Sequence, residues 1–324
     1  MSPRELDEDD VRVRPGRSSR PRTRTRPGHE DAAPATVVTV DRGRYRLRTD
    51  AGDLLTAVRA RELGRRAVVV GDRVAVVGDL SGGPDALGRI VRIEPRTSLL
   101  RRTPDDNDPV ERAVVANADI LVVVTALADP PPRARLIDRC LVAAYDGGLT
   151  PLLCLTKADL ASADELLALY RPLGVEALVT SRGSGVEELA ARLAGHTSVL
   201  FGQSGVGKST LVNQLVPDAY RAVGDVSGIG KGRHISSSAI ALDLPGGGTV
   251  IDTPGVRSFG LGAVTPERVL AAFPDLVDAA AQCPPGCPHL PGTPGCALDE
   301  ADVSPARLES LRRLLVALAD QSPW

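Results

Sequence analysis

The sequence predicts a multidomain fold: a small β-barrel of the OB type, a central α/β domain built on a parallel sheet, and a C-terminal helical domain. Three observations carry this. Five short β-rich runs fill about sixty residues, from Thr36 to Ile93. From about 110 onward, buried-type apolar strands alternate with helical stretches, the pattern of a parallel sheet covered by helices. After about 265 the chain turns helical around a segment rich in Cys, Pro and Gly.

Length and composition set the frame. At 324 residues the chain is long enough for several cores. With 43% hydrophobic and 25% charged residues it falls in the ordinary globular class. Aromatics are only 2%, so the cores must be aliphatic. No apolar run approaches the roughly 20 residues that span a bilayer. The N-terminus starts with acids and arginines and carries no apolar leader, so a cytoplasmic location and no membrane partner are expected.

Residues 1–33 are rich in Arg, Pro and acids, and read as a disordered, Arg-rich tail. Arg12 to Arg26 contains seven arginines and no acid. The barrel is expected over 34–103, with strands Thr36–Val40, Tyr45–Arg48, Leu54–Ala60, Val68–Val77 and Leu87–Ile93 separated by Gly- and Asp-rich turns. Between Thr36 and Thr103 there are 14 Arg against 8 Asp and Glu, a local charge of +6. Such an excess favours phosphate backbones. Tyr45 is the one aromatic in that stretch, so contacts through Arg are expected there rather than base stacking. A solvated charged surface is the plainer reading of the same residues.

The central domain is expected over 104–263. Its strands are Asp119–Ala126, Leu152–Leu155, Ala177–Val179, Ser198–Phe201, Ala239–Leu244 and Thr249–Ile251, with helices at Leu136–Tyr145, Asp164–Tyr170 and Val186–Ala194. The C-terminal domain, 264–324, opens with the helix start Thr265-Pro266-Glu267. It closes with a helix after Ser304-Pro305, whose apolar stripe is Leu308, Leu311, Leu315 and Leu318.

Only three lysines occur among 39 basic residues: Lys157, Lys208 and Lys231. A chain that otherwise writes Arg keeps Lys where a compact ammonium is needed. All three lie in candidate nucleotide motifs.

Gly202-Gln203-Ser204-Gly205-Val206-Gly207-Lys208-Ser209 matches G-x-x-x-x-G-K-[ST], between the strand ending at Phe201 and a helix over Thr210–Leu215. In that context the glycines let backbone N–H groups wrap phosphates at a helix N-terminus. Lys208 is expected to reach the β- and γ-phosphates, the Ser209 hydroxyl to ligate Mg²⁺, and Thr210 to close the set of contacts. Asp252-Thr253-Pro254-Gly255 follows a strand 50 residues after Gly202. Asp252 is expected to hold Mg²⁺, and the Gly255 N–H to sense the γ-phosphate. Val256 stands where a water-orienting glutamine is common, and it cannot orient water.

Thr156-Lys157-Ala158-Asp159 resembles N-K-x-D. A carboxylate at Asp159 accepts from guanine N1–H and the exocyclic amine, which adenine cannot offer. Lys157 can pack along the base. Thr156 replaces the usual Asn. Ser181, after Val179-Thr180, is placed to turn backbone N–H toward the guanine carbonyl. Asp159 precedes Gly202 by 43 residues, the reverse of the common order. The same parallel sheet forms if the ends of the domain are joined and the chain reopened elsewhere. GTP and GDP are the expected ligands.

Cys283-x₃-Cys287-x-His289-x₆-Cys296 offers three thiols and one imidazole within fourteen residues. Four such ligands on a turn-rich segment suit one closed, tetrahedral structural Zn²⁺; reactive thiols are the alternative. Pro284, Pro285, Gly286, Pro288 and Pro291 preclude a regular helix, so a metal would organise the segment.

Ala116-Asn117-Ala118-Asp119, the permuted motif order, Gly232-Arg233-His234, Asp252 to Arg257 and the Cys/His cluster together resemble the circularly permuted, ribosome small subunit-dependent GTPase A (RsgA) family. The resemblance covers about 36 to 320. It implies an OB domain, a permuted P-loop GTPase domain and a zinc domain. It further implies a hydrolase acting late in maturation of the small (30S) ribosomal subunit and stimulated by it. The implied partners are that subunit and its rRNA, and a monomer is expected. By the resemblance, His234 is the candidate water-positioning catalytic residue, beside Lys208 and Gly255; an rRNA-phosphate contact is its other reading. Threonines follow that His in the family. Here the run is Ile235-Ser236-Ser237-Ser238; a serine hydroxyl can take the threonine's place as Mg²⁺ ligand, with Ser236 the candidate and Ser237 and Ser238 the alternatives. Two other functions fit less fully: a GTP-gated rRNA-binding module with incidental hydrolysis, and an unrelated metabolic NTPase.

Overall fold

The described structure begins with five antiparallel-rich strands. β1 (Ala33–Asp41), β2 (Arg44–Thr49), β3 (Leu54–Arg59), β4 (Arg73–Gly78) and β5 (Gly88–Ile93) run in the order β1-β2-β3-β5-β4, and β4 returns to β1 to close a barrel. β3 and β5 pair in parallel; the other barrel pairings are antiparallel. Period-two alternation sends Val37, Leu47, Leu55, Ala57, Val74, Val76 and Ile90 inward as an aliphatic core. The computed structural model describes residues 29–41, 43–64, 67–83, 85–102, 112–217, 239–253, 264–303 and 305–319.

The expected strand Val68–Val77 is interrupted. Asp72 is buried, accepts from the Val69 N–H at 2.8 Å and is gripped by Arg96 at 2.7 and 2.9 Å. This turn delays β4 until Arg73. β6 (Leu99–Arg102) and β7 (Arg112–Ala116) then pair antiparallel, one on each side of the boundary expected between 103 and 104.

The central sheet runs β10-β9-β8-β11-β13-β12. Its strands are β8 (Ile120–Ala126), β9 (Thr150–Thr156), β10 (Glu176–Val179), β11 (Thr197–Phe201), β12 (Ile240–Asp243) and β13 (Thr249–Asp252). All neighbours pair in parallel except β12 with β13. Helices α1 (Ala134–Gly147), α2 (Asp164–Tyr170) and α3 (Val186–Leu193) provide the crossovers, and α4 (Lys208–Leu215) follows β11. Leu121, Val123, Leu153, Val199 and Phe201 face α1; Ile120, Val122, Leu152 and Leu200 face α3 and α4. Burial on both faces accounts for strands that read as continuous apolar runs.

Among the described residues three C-terminal α-helices follow: α5 (Pro266–Leu270), α6 (Pro274–Ala280) and α7 (Pro305–Ala319). α7 packs on α1 with Leu311, Leu314 and Leu315 buried, while Leu308 and Leu318 are only partly covered. The buried edge thus includes Leu314, outside the expected stripe. Arg313 of α7 pairs with buried Asp138 of α1, whose carboxyl is pushed up by burial against the opposing pull of that guanidinium. Among the described residues, no helix is long and apolar enough to cross a membrane.

Candidate nucleotide site and metal cluster

The nucleotide motifs meet at the carboxyl ends of the parallel strands, where open α/β sheets form their ligand crevices. β11 ends at Phe201, residues 202–207 form the loop, and α4 begins at Lys208. Gly202 passes so close to β8 that a Cβ there would sit 2.7 Å from the Val124 carbonyl. Gly205 and Gly207 hold φ of 82° and 93°, conformations that L side chains rarely adopt. Gly207 caps α4, and Lys208, Ser209 and Thr210 form its first turn, where unpaired N–H groups favour an anion.

Lys208 pairs through Nζ with Asp252 Oδ1, and both side chains are largely buried. The pairing follows from the sheet: Asp252 ends β13 directly opposite Leu200 of β11. Thr253 donates its hydroxyl to the Leu200 carbonyl at 2.8 Å and fixes the exit from β13.

The Thr156–Asp159 segment lies beside the phosphate loop. Thr156 is buried, and its Oγ1 donates to the Val206 carbonyl at 2.6 Å. Lys157 holds a positive φ of 61° and donates from Nζ to the Asp129 carbonyl. Asp159 is exposed. The Ala158 N–H reaches the Thr180 carbonyl at 3.2 Å, the Thr180 N–H reaches Leu155 at 2.7 Å, and Ser181 pairs with Ser184. Residues 202–210, Asp252, Thr156, Lys157, Asp159 and Ser181 are therefore drawn to one end of the sheet. His234, Ser236, Gly255 and Val256 lie outside the described residues.

Sequence reading assigned nothing to the loop after β8. Yet Asp129 receives Lys157, and Pro130 Cδ would lie 3.6 Å from a Cβ on Gly205. The loop's one mark in the sequence is the proline run Pro130 to Pro132, which says nothing of the contact with Lys157.

At the C-terminal end, ligand atoms of Cys283, Cys287, His289 and Cys296 all fall within 4.8 Å of one another. Cys283 Sγ is 3.5 Å from His289 Nδ1 and 4.0 Å from Cys296 Sγ, and Cys296 Sγ is 3.9 Å from His289 Nδ1. Metal–sulfur and metal–nitrogen bonds of about 2.3 and 2.0 Å in a tetrahedron give edges of about 3.5–3.8 Å, so this set fits one ion. Burial lowers the His289 pKa, favouring the neutral ring that ligates a metal. The Ala297 N–H donates to Cys283 Sγ at 3.2 Å and orients that sulfur.

Residues 93–262 match the family described as RsgA GTPase. A protein of Pseudomonas putida named small ribosomal subunit biogenesis GTPase RsgA is 42% identical over 270 residues, covering 79% of this chain and 76% of the relative. A protein of the same name from Azotobacter vinelandii is 44% identical over 268 residues, covering 78% and 76%. The crystal structure of YjeQ from Thermotoga maritima aligns with TM-score 0.65 at 27% identity, over 89% of this chain and 98% of that one. YloQ, described as a circularly permuted GTPase, aligns with TM-score 0.64 at 23% identity, over 92% and 98%, a likeness of fold. With the motifs gathered at one sheet end in reversed chain order, and with relatives of this identity along most of its length, the chain belongs to the RsgA GTPase family.

Proposed function

We propose that this protein hydrolyses GTP to GDP and phosphate, acts in late maturation of the small ribosomal subunit, and is stimulated by that subunit. The observation that supports this most is the meeting of Lys208, Asp252 and the Thr156–Asp159 segment around one phosphate-type loop, in a member of a GTPase family. Phosphoryl transfer asks for positioning and charge, and little covalent chemistry from the protein.

In this reading the loop amides of 202–207 and Lys208 hold the phosphates. Lys208 leaves Asp252 for the β- and γ-oxygens. Ser209, Asp252 and Ser236 are the residues that would hold Mg²⁺, which would neutralise charge on the β- and γ-phosphates. Asp159 selects guanine, with Lys157 along the base and the Ser181 backbone at the carbonyl. His234 positions water, a task Val256 cannot perform, and the Gly255 N–H reads the γ-phosphate.

The domain limits proposed are 34–103 for the barrel, 104–263 for the GTPase domain and 264–324 for the helical domain, whose Cys283, Cys287, His289 and Cys296 would hold zinc. Exposed Arg44, Arg61 and Arg89 of the barrel are suited to rRNA phosphates, an affinity that weakens with salt. The protein works as a cytoplasmic monomer.

The deciding experiment is GTP turnover by the purified protein alone, with small subunits and with large subunits, with ATP as control. Stimulation by small subunits alone is expected. Slow turnover in all three conditions would leave a GTP-gated RNA-binding module in its place.

A further inference from the structure

Strand β1 belongs to both folded parts of the chain. It closes the barrel against β2 and β4, and past a register shift between Val37 and Thr39 it also pairs with β12. Thr39 lies opposite Ile240, and Ile240 lies opposite Asp252. The backbone of one barrel residue is therefore two strand spacings, about 10 Å, from the backbone of Asp252, the residue that pairs with Lys208.

Two side-chain contacts reinforce this alignment, beside the backbone bond from the Ala116 N–H to the Val70 carbonyl at 3.0 Å. On the β12 side, Arg48 of β2 forms an ion pair with Asp243. On the other side stands Asn117, a residue whose motif marks the family resemblance but which has no place in the nucleotide site. Asn117 sits in the left-handed region with φ of 54°. Its Nδ2 donates to the Gly71 carbonyl at 2.9 Å, its Oδ1 accepts from the Thr97 N–H at 2.9 Å, and its own N–H donates to Ser98 at 3.0 Å. The barrel loop and the β7–β8 connection meet backbone to backbone there: a Cβ on Gly71, itself at φ of 87°, would lie 2.0 Å from the Ala116 carbonyl. Next to it, the buried Asp72–Arg96 pair stiffens the barrel loop. A barrel held at two separated points cannot pivot without breaking one of them.

We propose that Asn117 and the Arg48–Asp243 pair are positioning residues, a role that rests on the subunit-stimulated hydrolysis proposed above. They clamp the barrel so that its engagement with RNA is felt at Asp252 through the β1–β12–β13 ladder. Coupling between sites of this kind is typically worth a factor of about 5 to 150.

The test uses the full chain. Asn117→Gly tolerates the left-handed backbone and removes the side chain with the two bonds its amide makes. Arg48→Glu and Asp243→Arg are made singly and together. Basal GTP turnover, KM for GTP and melting temperature are measured beside kcat at saturating small subunits. Each single variant should keep basal turnover and KM close to the parent, while stimulated kcat falls about tenfold. The charge-swapped double variant should regain most of it, which loss of an RNA contact at Arg48 would not allow. If Asn117→Gly melts well below the parent, the ion-pair series decides. Singles stimulated like the parent, or a double no better than either single, would overturn the inference while leaving the proposed function intact. A parent that small subunits fail to stimulate would overturn that function, and the inference with it.

Discussion

Thr156 Oγ1 donates a hydrogen bond of 2.6 Å to the carbonyl of Val206, joining the end of β9 to the phosphate loop. The hydroxyl standing where N-K-x-D carries an amide is thus committed to the protein backbone and not turned outward. Thr156→Val removes it with little change in shape and leaves the Val206 carbonyl without this donor. A lost hydrogen bond of this kind costs about 0.5–1.5 kcal/mol, so GTP affinity by fluorescent-nucleotide titration should fall about two- to tenfold. Unchanged affinity would mean that the tie does not shape the loop.

Lys208→Ala is expected to abolish detectable nucleotide binding. It also takes the Lys208 ammonium away from the Asp252 carboxylate, whose side chain is only 3% exposed. Breaking a buried pair from one side typically costs about 3–5 kcal/mol, so the melting temperature should fall as well. Lys208→Ala that still binds GTP would remove Lys208 from the phosphate site.

Asp159→Asn should exchange the base preferred. An amide cannot accept from both guanine N1–H and the exocyclic amine, but its NH₂ can donate to the second carbonyl of xanthine. Hydrogen bonds to charged groups contribute about 1.5–3 kcal/mol each. GTP affinity should therefore fall by about a hundredfold or more, with a gain for xanthosine triphosphate in competition assays. Retained GTP preference would overturn the assignment of Asp159.

Metal analysis of protein purified without added metal should give about one zinc per chain. Cobalt exchanged into the site should show the intense d–d bands of tetrahedral coordination and thiolate charge transfer. Cys296→Ser should lose both signals. Its effect on GTP binding should be small, because Cys296 lies near α7 and not at the carboxyl ends of β11 and β13. Zinc-free parent protein with an unchanged melting profile would show the cluster to be a set of thiols only.

Much of this protein was determined locally, and the sequence alone carried it. Gly202 to Ser209 is recognisable because a loop that wraps phosphate needs glycine at fixed offsets and a lysine at its end. The Cys/His spacing is legible because one ion demands four ligands from one short segment. Strands such as Val199–Phe201 declare themselves by aliphatic runs that only a two-sided burial explains. Long-range relationships were not legible. Nothing near Thr39 announces that it lies in line with Asp252, nothing near Asp129 announces Lys157, and Asn117 gives no sign of its bond to Gly71. The pairing of β6 with β7 went unseen for the same reason: neither strand carries a local mark of its partner. Local chemistry is written in spacing along the chain, whereas which strand meets which is chosen by the burial of whole faces, and only the folded sheet makes that choice.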